Sequence, residues 1–172
     1  MGRRQLIAVI GGNTSTATDE DLILAEELGC ALVDAGYRVL TGGLGGVMEA
    51  ASRGARSSQH YREGDIIGVI PGLNKEASPH CDIVIATGMH YARNQVIVAS
   101  ADVVVAIGGG AGTLSEIAFS WQLGKPIYAF HSTVGWAGKL GGSAIDDRPR
   151  KPITKVTTVP KLIELLGSTP EK

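Results

Sequence analysis

An excess of basic residues is missing from this 172-residue chain, whose formal net charge is −1. Without a basic face there is no electrostatic footprint for nucleic acid. Any bound anion must be held locally, by backbone amides and one or two basic side chains. Cysteine is scarce: Cys30 and Cys81 stand alone in apolar surroundings and match no CxxC metal or redox spacing. They read as buried free thiols of a reducing compartment rather than a disulfide. No apolar run approaches the ~20 residues of a membrane span. Met1-Gly2-Arg3-Arg4 leads into a run too short for a secretory core. No membrane partner and a cytoplasmic location are expected. The dinucleotide fingerprint GxGxxG follows no strand, and the P-loop GxxxxGK[ST] and the hydrolase elbow GxSxG are absent. No lysine sits in a glycine turn, which removes support for a Schiff-base enzyme. His60, His80, His90 and His131 show no ligand spacing, so no metal site is expected, and only His90 falls near the candidate site described next.

Glycine, by contrast, is abundant, with 24 residues gathered at the ends of apolar runs. The most informative stretch is Gly108-Gly109-Gly110-Ala111-Gly112-Thr113-Leu114-Ser115-Glu116. It follows Val103 to Ile107, an unbroken apolar run that reads as a strand buried on both faces of a parallel sheet. It opens a helical segment, Ile117 to Leu123. Glycines let the backbone turn sharply and approach a ligand with no Cβ in the way. A helix start adds unpaired N–H groups and the positive end of the dipole, a ready site for phosphate. Thr113-x-x-Glu116 also has the spacing of a capping box, in which Glu116 serves only to close the helix start.

Taken in order, Leu6 to Ile10 is a strand ending at Gly11-Gly12-Asn13, and Thr18-x-x-Asp21 opens a helix that stops at Gly36. Tyr37 to Thr41 is a second strand, ending at Gly42-Gly43-Leu44-Gly45-Gly46, after which a helix runs through Val47 to Gly54. Residues 55–64 are polar and expected to be exposed. Ile66 to Ile70 and Ile83 to Ala86 are strands joined by an irregular link, residues 73–82, too short for a helical crossover. Met89 to Ala101 reads as a helix and Ile127 to Phe130 as a strand. Trp121 reads as core or subunit interface. Residues 131–152 form an irregular excursion with a lid as one reading. Val156 to Val159 is a short last strand, Pro160 to Gly167 a helix, and Lys172 lies in a frayed tail. The expectation is one domain over residues 1–172, a three-layer, doubly wound parallel sheet. Its ligand belongs beyond the carboxyl ends of the strands, where strand order reverses. There the glycine turns after strands one, two and five meet the Met89–Arg93 turn.

Met89-His90-Tyr91-Ala92-Arg93-Asn94 followed by the Gly108–Glu116 stretch resembles the motif pair of the LONELY GUY superfamily, also called "lysine decarboxylase-like". That pattern is a methionine and an Arg-Lys pair on one helix, then Pro-Gly-Gly-x-Gly-Thr-x-x-Glu. Thr41-Gly42-Gly43-Leu44-Gly45-Gly46-Val47-Met48 is similar to the family's second glycine turn, and the similarity covers residues 5–131. The resemblance implies that residues 1–172 are a Rossmann-like nucleotide-binding domain, with a nucleotide or phosphorylated ligand and a homodimer or homotetramer that completes the site. Two departures stand out: Asn94 replaces the motif lysine and Gly108 replaces the proline. Together with a short C-terminus, they make the chain look closer to the bacterial and archaeal subgroup that includes the molybdenum cofactor carrier protein.

Two functions follow from that resemblance. The first is a phosphoribohydrolase that cuts the N-glycosidic bond of a nucleoside 5′-monophosphate, releasing base and ribose 5-phosphate. Glu116 and Arg93 would be its catalytic pair, the carboxylate stabilising an oxocarbenium-like state or activating water. Gly12, Asn13, Gly43, Gly46, Met89, Asn94, Gly109, Gly110, Gly112 and Thr113 would bind substrate, with no metal and no dedicated cofactor. The alternative is a carrier or sensor that holds a phosphorylated pterin cofactor or a nucleotide intact. Loss of the motif lysine favours the alternative, whereas a carboxylate facing a phosphate counts against it.

Overall fold

The computed structural model describes residues 3–74 and 76–168. The chain opens with β1 (Leu6–Gly11), α1 (Asp19–Asp34), β2 (Arg38–Thr41), α2 (Val47–Ser57), β3 (Ile66–Ile70) and β4 (Ile83–Ala86). A single 3-10 turn (His90–Ala92) then leads to α3 (Arg93–Ser100), β5 (Val103–Ile107), α4 (Ala111–Gln122) and β6 (Ile127–Phe130). The last elements are α5 (Trp136–Leu140), β7 (Thr154–Val156) and α6 (Val159–Gly167). All pairings are parallel, in the order β4-β3-β2-β1-β5-β6-β7. The chain builds outward from β1 to β4, then returns to the other side of β1 with β5. The β1–β5 junction is therefore the place where strand order reverses.

Alternation along the central strands sorts the core into two layers. Ile7, Val9, Val103, Val105 and Ile107 face α1, α2 and α6, while Ala8, Ile10, Val104 and Ala106 face α3, α4 and α5. Both faces are covered, which explains the unbroken apolar runs. Thr18 caps α1 in a capping box with Asp21. Gly36 closes it with φ +87°, its N–H donating to Val33 and that of Tyr37 to Leu32.

Several boundaries differ from the sequence expectation. Helix α2 runs through Gly54 to Ser57, burying Ala55, because Gly54 is a contact glycine and not a stop. A Cβ there would stand 1.9 Å from the Glu26 carbonyl oxygen, and one on Gly29 would stand 2.0 Å from that of Ala51. Helices α1 and α2 thus touch backbone to backbone. Gly54→Ala is expected to cost about 1–3 kcal/mol through forced separation of the pair. An unchanged urea midpoint would refute this contact. Strand β7 starts two residues and ends three residues earlier than expected, since Thr158 caps α6 and draws Val159 into that helix. The segment from Met89 begins as a 3-10 turn, and α4 starts at Ala111 rather than after Thr113. The expected frayed tail at Lys172 lies outside the described residues.

Segment 131–152 is docked rather than free. The N–H groups of Trp136 and Ala137 donate to the Gly109 and Gly108 carbonyls, both at 3.0 Å. The Gly108 N–H donates to Thr133 Oγ1 at 2.9 Å, and Gly108 holds φ +56°. Proline could neither donate that hydrogen bond nor adopt that φ. The glycine at position 108 therefore suits a loop braced from behind.

Candidate functional site

The carboxyl ends of β1, β2 and β5 enclose a cavity of about 320 Å³. Its lining includes Asn13, Arg93, Asn94, Gly110, Gly112, Thr113 and Glu116, all of them candidates from the sequence. One wall is the start of α4. Gly109, at φ +88°, and the extended Gly110 let the helix begin at Ala111, with no side chain capping it. The capping box expected for Thr113 and Glu116 does not form, because both residues already lie inside the helix. The first-turn N–H groups of α4 are left to the cavity, and the helix dipole adds positive potential.

Glu116 stands in the second turn of α4 and is 6 % exposed. Burial raises its carboxyl to about 8, the charge of Arg93 pulling the other way. In its protonated form it offers an O–H donor. Arg93 opens α3 and is 9 % exposed. Burial pulls its guanidinium below the usual range, Glu116 opposing, yet it keeps its charge. Its Nη1 donates to the side-chain Oδ1 of Asn94, while its Nε is buried without a hydrogen-bond partner. A buried N–H left unmade carries a desolvation penalty that an incoming anion would remove. Asn94 Nδ2 donates to Ser115 Oγ at 2.9 Å and to the Gly112 carbonyl at 3.3 Å. Asn94 thus clamps α3 to the first turn of α4 and orients Arg93. Asn13 folds its own loop, its side-chain oxygen accepting from Ser15 N–H, Ser15 Oγ and Thr16 Oγ1.

Gly12, Gly43, Gly46, Gly109 and Met89, also named from the sequence, are not among the residues lining this cavity. Three of them allow close approach of neighbouring backbone, and Gly109 makes room for the Thr113 side chain. The Gly12 carbonyl accepts from Val47 N–H, and a Cβ on Gly46 would stand 2.4 Å from that carbonyl oxygen. Gly43 lies against Ile70 and Gly68, and Gly109 lies under Thr113. Met89 is 46 % exposed at the rim, and Met48 takes the place inside. Gly42, Thr16, Leu44 and Tyr91 line the cavity and were not anticipated. Gly42 was legible in principle as the first residue after a strand; a Cβ there would stand 2.7 Å from Arg93 Nη2. His90 is exposed, lies outside the cavity and has φ +48°. Trp121 is buried, its Nε1 donating to Asp146 at 2.8 Å.

Cys30 and Cys81 are free and only half-buried, and burial raises both thiols. Among the described residues no helix is long and apolar enough to cross a membrane. No group of three or more His, Cys, Asp or Glu side chains among them is placed to hold a metal.

The model of the SLOG cluster4 family matches residues 4–161. The chain belongs to the SLOG cluster4 family. An uncharacterised protein of Archaeoglobus fulgidus is 38% identical over 121 residues, covering 70% of this chain and 76% of its own. Among solved structures, the molybdenum cofactor binding protein from Rippkaea orientalis is similar at a TM-score of 0.81. It is 34% identical, over 96% of this chain and 97% of that one. The molybdenum cofactor carrier protein from Chlamydomonas reinhardtii also reaches a TM-score of 0.81, at 30% identity over 95% of this chain and 97% of its own. This SLOG cluster4 chain therefore shares its Rossmann-like sheet with proteins named for binding and carrying a cofactor.

Proposed function

We propose that this protein binds a phosphorylated organic cofactor of the molybdopterin kind and carries it intact. One observation supports the reading above others: Glu116, whose carboxyl lines the cavity, is buried beside Arg93, and that burial raises its carboxyl to about 8. A carboxylate there would repel a phosphate, but a protonated carboxyl donates to it. The cradle then consists of donors: the open N–H groups of α4, the buried Arg93 and the Glu116 O–H. Asn94 positions Arg93 and adds no second cation, which fits retention of a ligand better than expulsion of a leaving group. The cavity, about 320 Å³, falls within the range for a small-molecule site and suits the phosphate end of such a ligand. The two molybdenum cofactor proteins of similar structure support the same reading.

Hydrolysis of a nucleoside 5′-monophosphate is the second reading, favoured by the same group in another role. A carboxyl raised to about 8 in a cavity is a candidate general acid for a departing base, as the LONELY GUY resemblance implies. Incubation with a panel of nucleoside 5′-monophosphates, AMP and N6-modified AMP included, separates the two. The carrier reading expects no free base from any of them. Base release that disappears in both Glu116→Gln and Arg93→Ala would replace it with the hydrolase.

Self-association belongs to this reading. Ile83 and Ile85 on the edge strand β4 expose large apolar side chains, as do Met89 and, at the cavity, Tyr91. A homodimer or homotetramer would cover them, and light scattering of the purified protein reads the mass directly.

A further inference from the structure

At the opposite end of the sheet, beneath the amino ends of β6 and β7, lies a second cavity of about 490 Å³. It shares no lining residue with the glycine-rich site. Its walls are apolar and aromatic, built from Trp121, Ile127, Tyr128 and Leu165, while Lys125, Arg150 and Lys151 supply three cations. No carboxylate is among the lining residues. Lys125 is held in place by the carbonyls of Ala99 and Ala101, at 3.0 and 2.6 Å, which leaves one of its three donors uncommitted. Arg150 lies beside Gly124, whose φ is +68°; its Nη1 would be 3.3 Å from a Cβ at that position. That Nη1 is buried and has no hydrogen-bond partner. Asp146 feels the charge of Arg150 but spends its oxygens on Trp121 Nε1 at 2.8 Å and Arg148 Nε at 3.4 Å.

A planar guanidinium with an orphaned, desolvated N–H suits a planar or tetrahedral oxyanion, and an aromatic wall suits a flat apolar body. We propose that this cavity is a second ligand site, taking a planar organic anion (an aryl carboxylate or phosphate ester) independently of the glycine-rich site. The oxyanion bonds Arg150, with Lys125 and Lys151 adding charge, and the ring packs against Ile127, Tyr128 and Leu165.

The two tryptophans of the chain make the test direct. Trp121 lines this cavity, whereas the Trp136 backbone is bonded to Gly109 behind the other site. In a ¹H–¹⁵N spectrum their indole signals report the two sites separately. Titration with phenyl phosphate and with benzoate is expected to shift the Trp121 indole signal saturably. Inorganic phosphate or benzyl alcohol alone is expected to do so at least about tenfold more weakly. Arg150→Ala should weaken the aryl anions about tenfold or more while the Trp136 signal stays in place, and Lys151→Ala should weaken them a few-fold. A Trp121 signal that never shifts in the folded protein, or only Trp136 shifting, would overturn the proposal. Equal affinity in Arg150→Ala would do the same, as would equal weakening by every aryl and non-aryl probe. If Arg150→Ala disturbs the fold, unchanged affinity in the charge-retaining Arg150→Lys would equally contradict a guanidinium-specific site.

Discussion

Replacing Glu116 with glutamine is expected to flatten the pH dependence of stability between about pH 4.5 and pH 8. The sign follows from where the proton sits. In the unfolded chain Glu116 ionises near 4.5, and in the folded protein only near about 8. Between those values the folded state holds a proton that the unfolded state has released, so each rise in pH favours unfolding. The stability is whole below pH 4.5, is lost progressively up to about pH 8, and is level above. At ~1.4 kcal/mol per pH unit across this window, the loss is on the order of 5 kcal/mol. Glutamine has the shape of the neutral carboxyl and no proton to lose. The variant should match the wild type near pH 4.5 and exceed it increasingly toward pH 8, as read from urea unfolding at a series of pH values. Parallel profiles would mean that Glu116 is ionised in the folded protein. Ligand affinity should follow the same group: wild-type affinity for a phosphorylated ligand falls as pH rises past 8, and that of Glu116→Gln does not.

Arg93→Ala should produce the second large effect, on binding rather than folding. A charge-assisted bond from a buried guanidinium to phosphate contributes about 1.5–3 kcal/mol, so affinity for a phosphorylated ligand should fall roughly 10- to 100-fold. Arg93→Lys should recover little of it, since an ammonium cannot reproduce the fork that also donates to Asn94. Stability should hold or rise, because the variant removes a buried charge whose Nε has no partner. Equal losses of affinity and stability in Arg93→Ala would instead make Arg93 a structural residue. Calorimetric titration together with thermal unfolding distinguishes the two.

Strands β3, β4, β5 and β6 match the sequence reading residue for residue. Each is an apolar run bounded by Pro, Gly or polar residues, which leaves little freedom in placing its ends. Helix boundaries were harder because a glycine does not declare its purpose. Gly36 ends α1 by adopting a positive φ, whereas Gly54 sits inside α2 to let another helix approach. The same ambiguity divides the candidate site. Gly110 and Gly112 line the cavity, whereas Gly12, Gly43 and Gly46 permit the β1 and β2 loops to pack on their neighbours. Spacing alone cannot separate close approach to a ligand from close approach to backbone. Arg93, Asn94 and Glu116 were legible because their motif positions match the family pattern. What Glu116 does was not legible, since capping-box spacing and a buried cavity carboxyl look alike until the helix start is known. Gly109 and Gly110 decide it by starting α4 at Ala111.

The proposed carrier recognises a phosphate and then leaves it in place. The most direct measurement is calorimetric titration of the purified protein with molybdopterin and with its dephosphorylated form, followed by recovery and mass analysis of the ligand. The prediction is saturable binding of the phosphorylated form, at least tenfold weaker binding without the phosphate, and recovery of the ligand unchanged. Equal affinity for the two forms, no binding of either, or recovery of a cleaved product would contradict it.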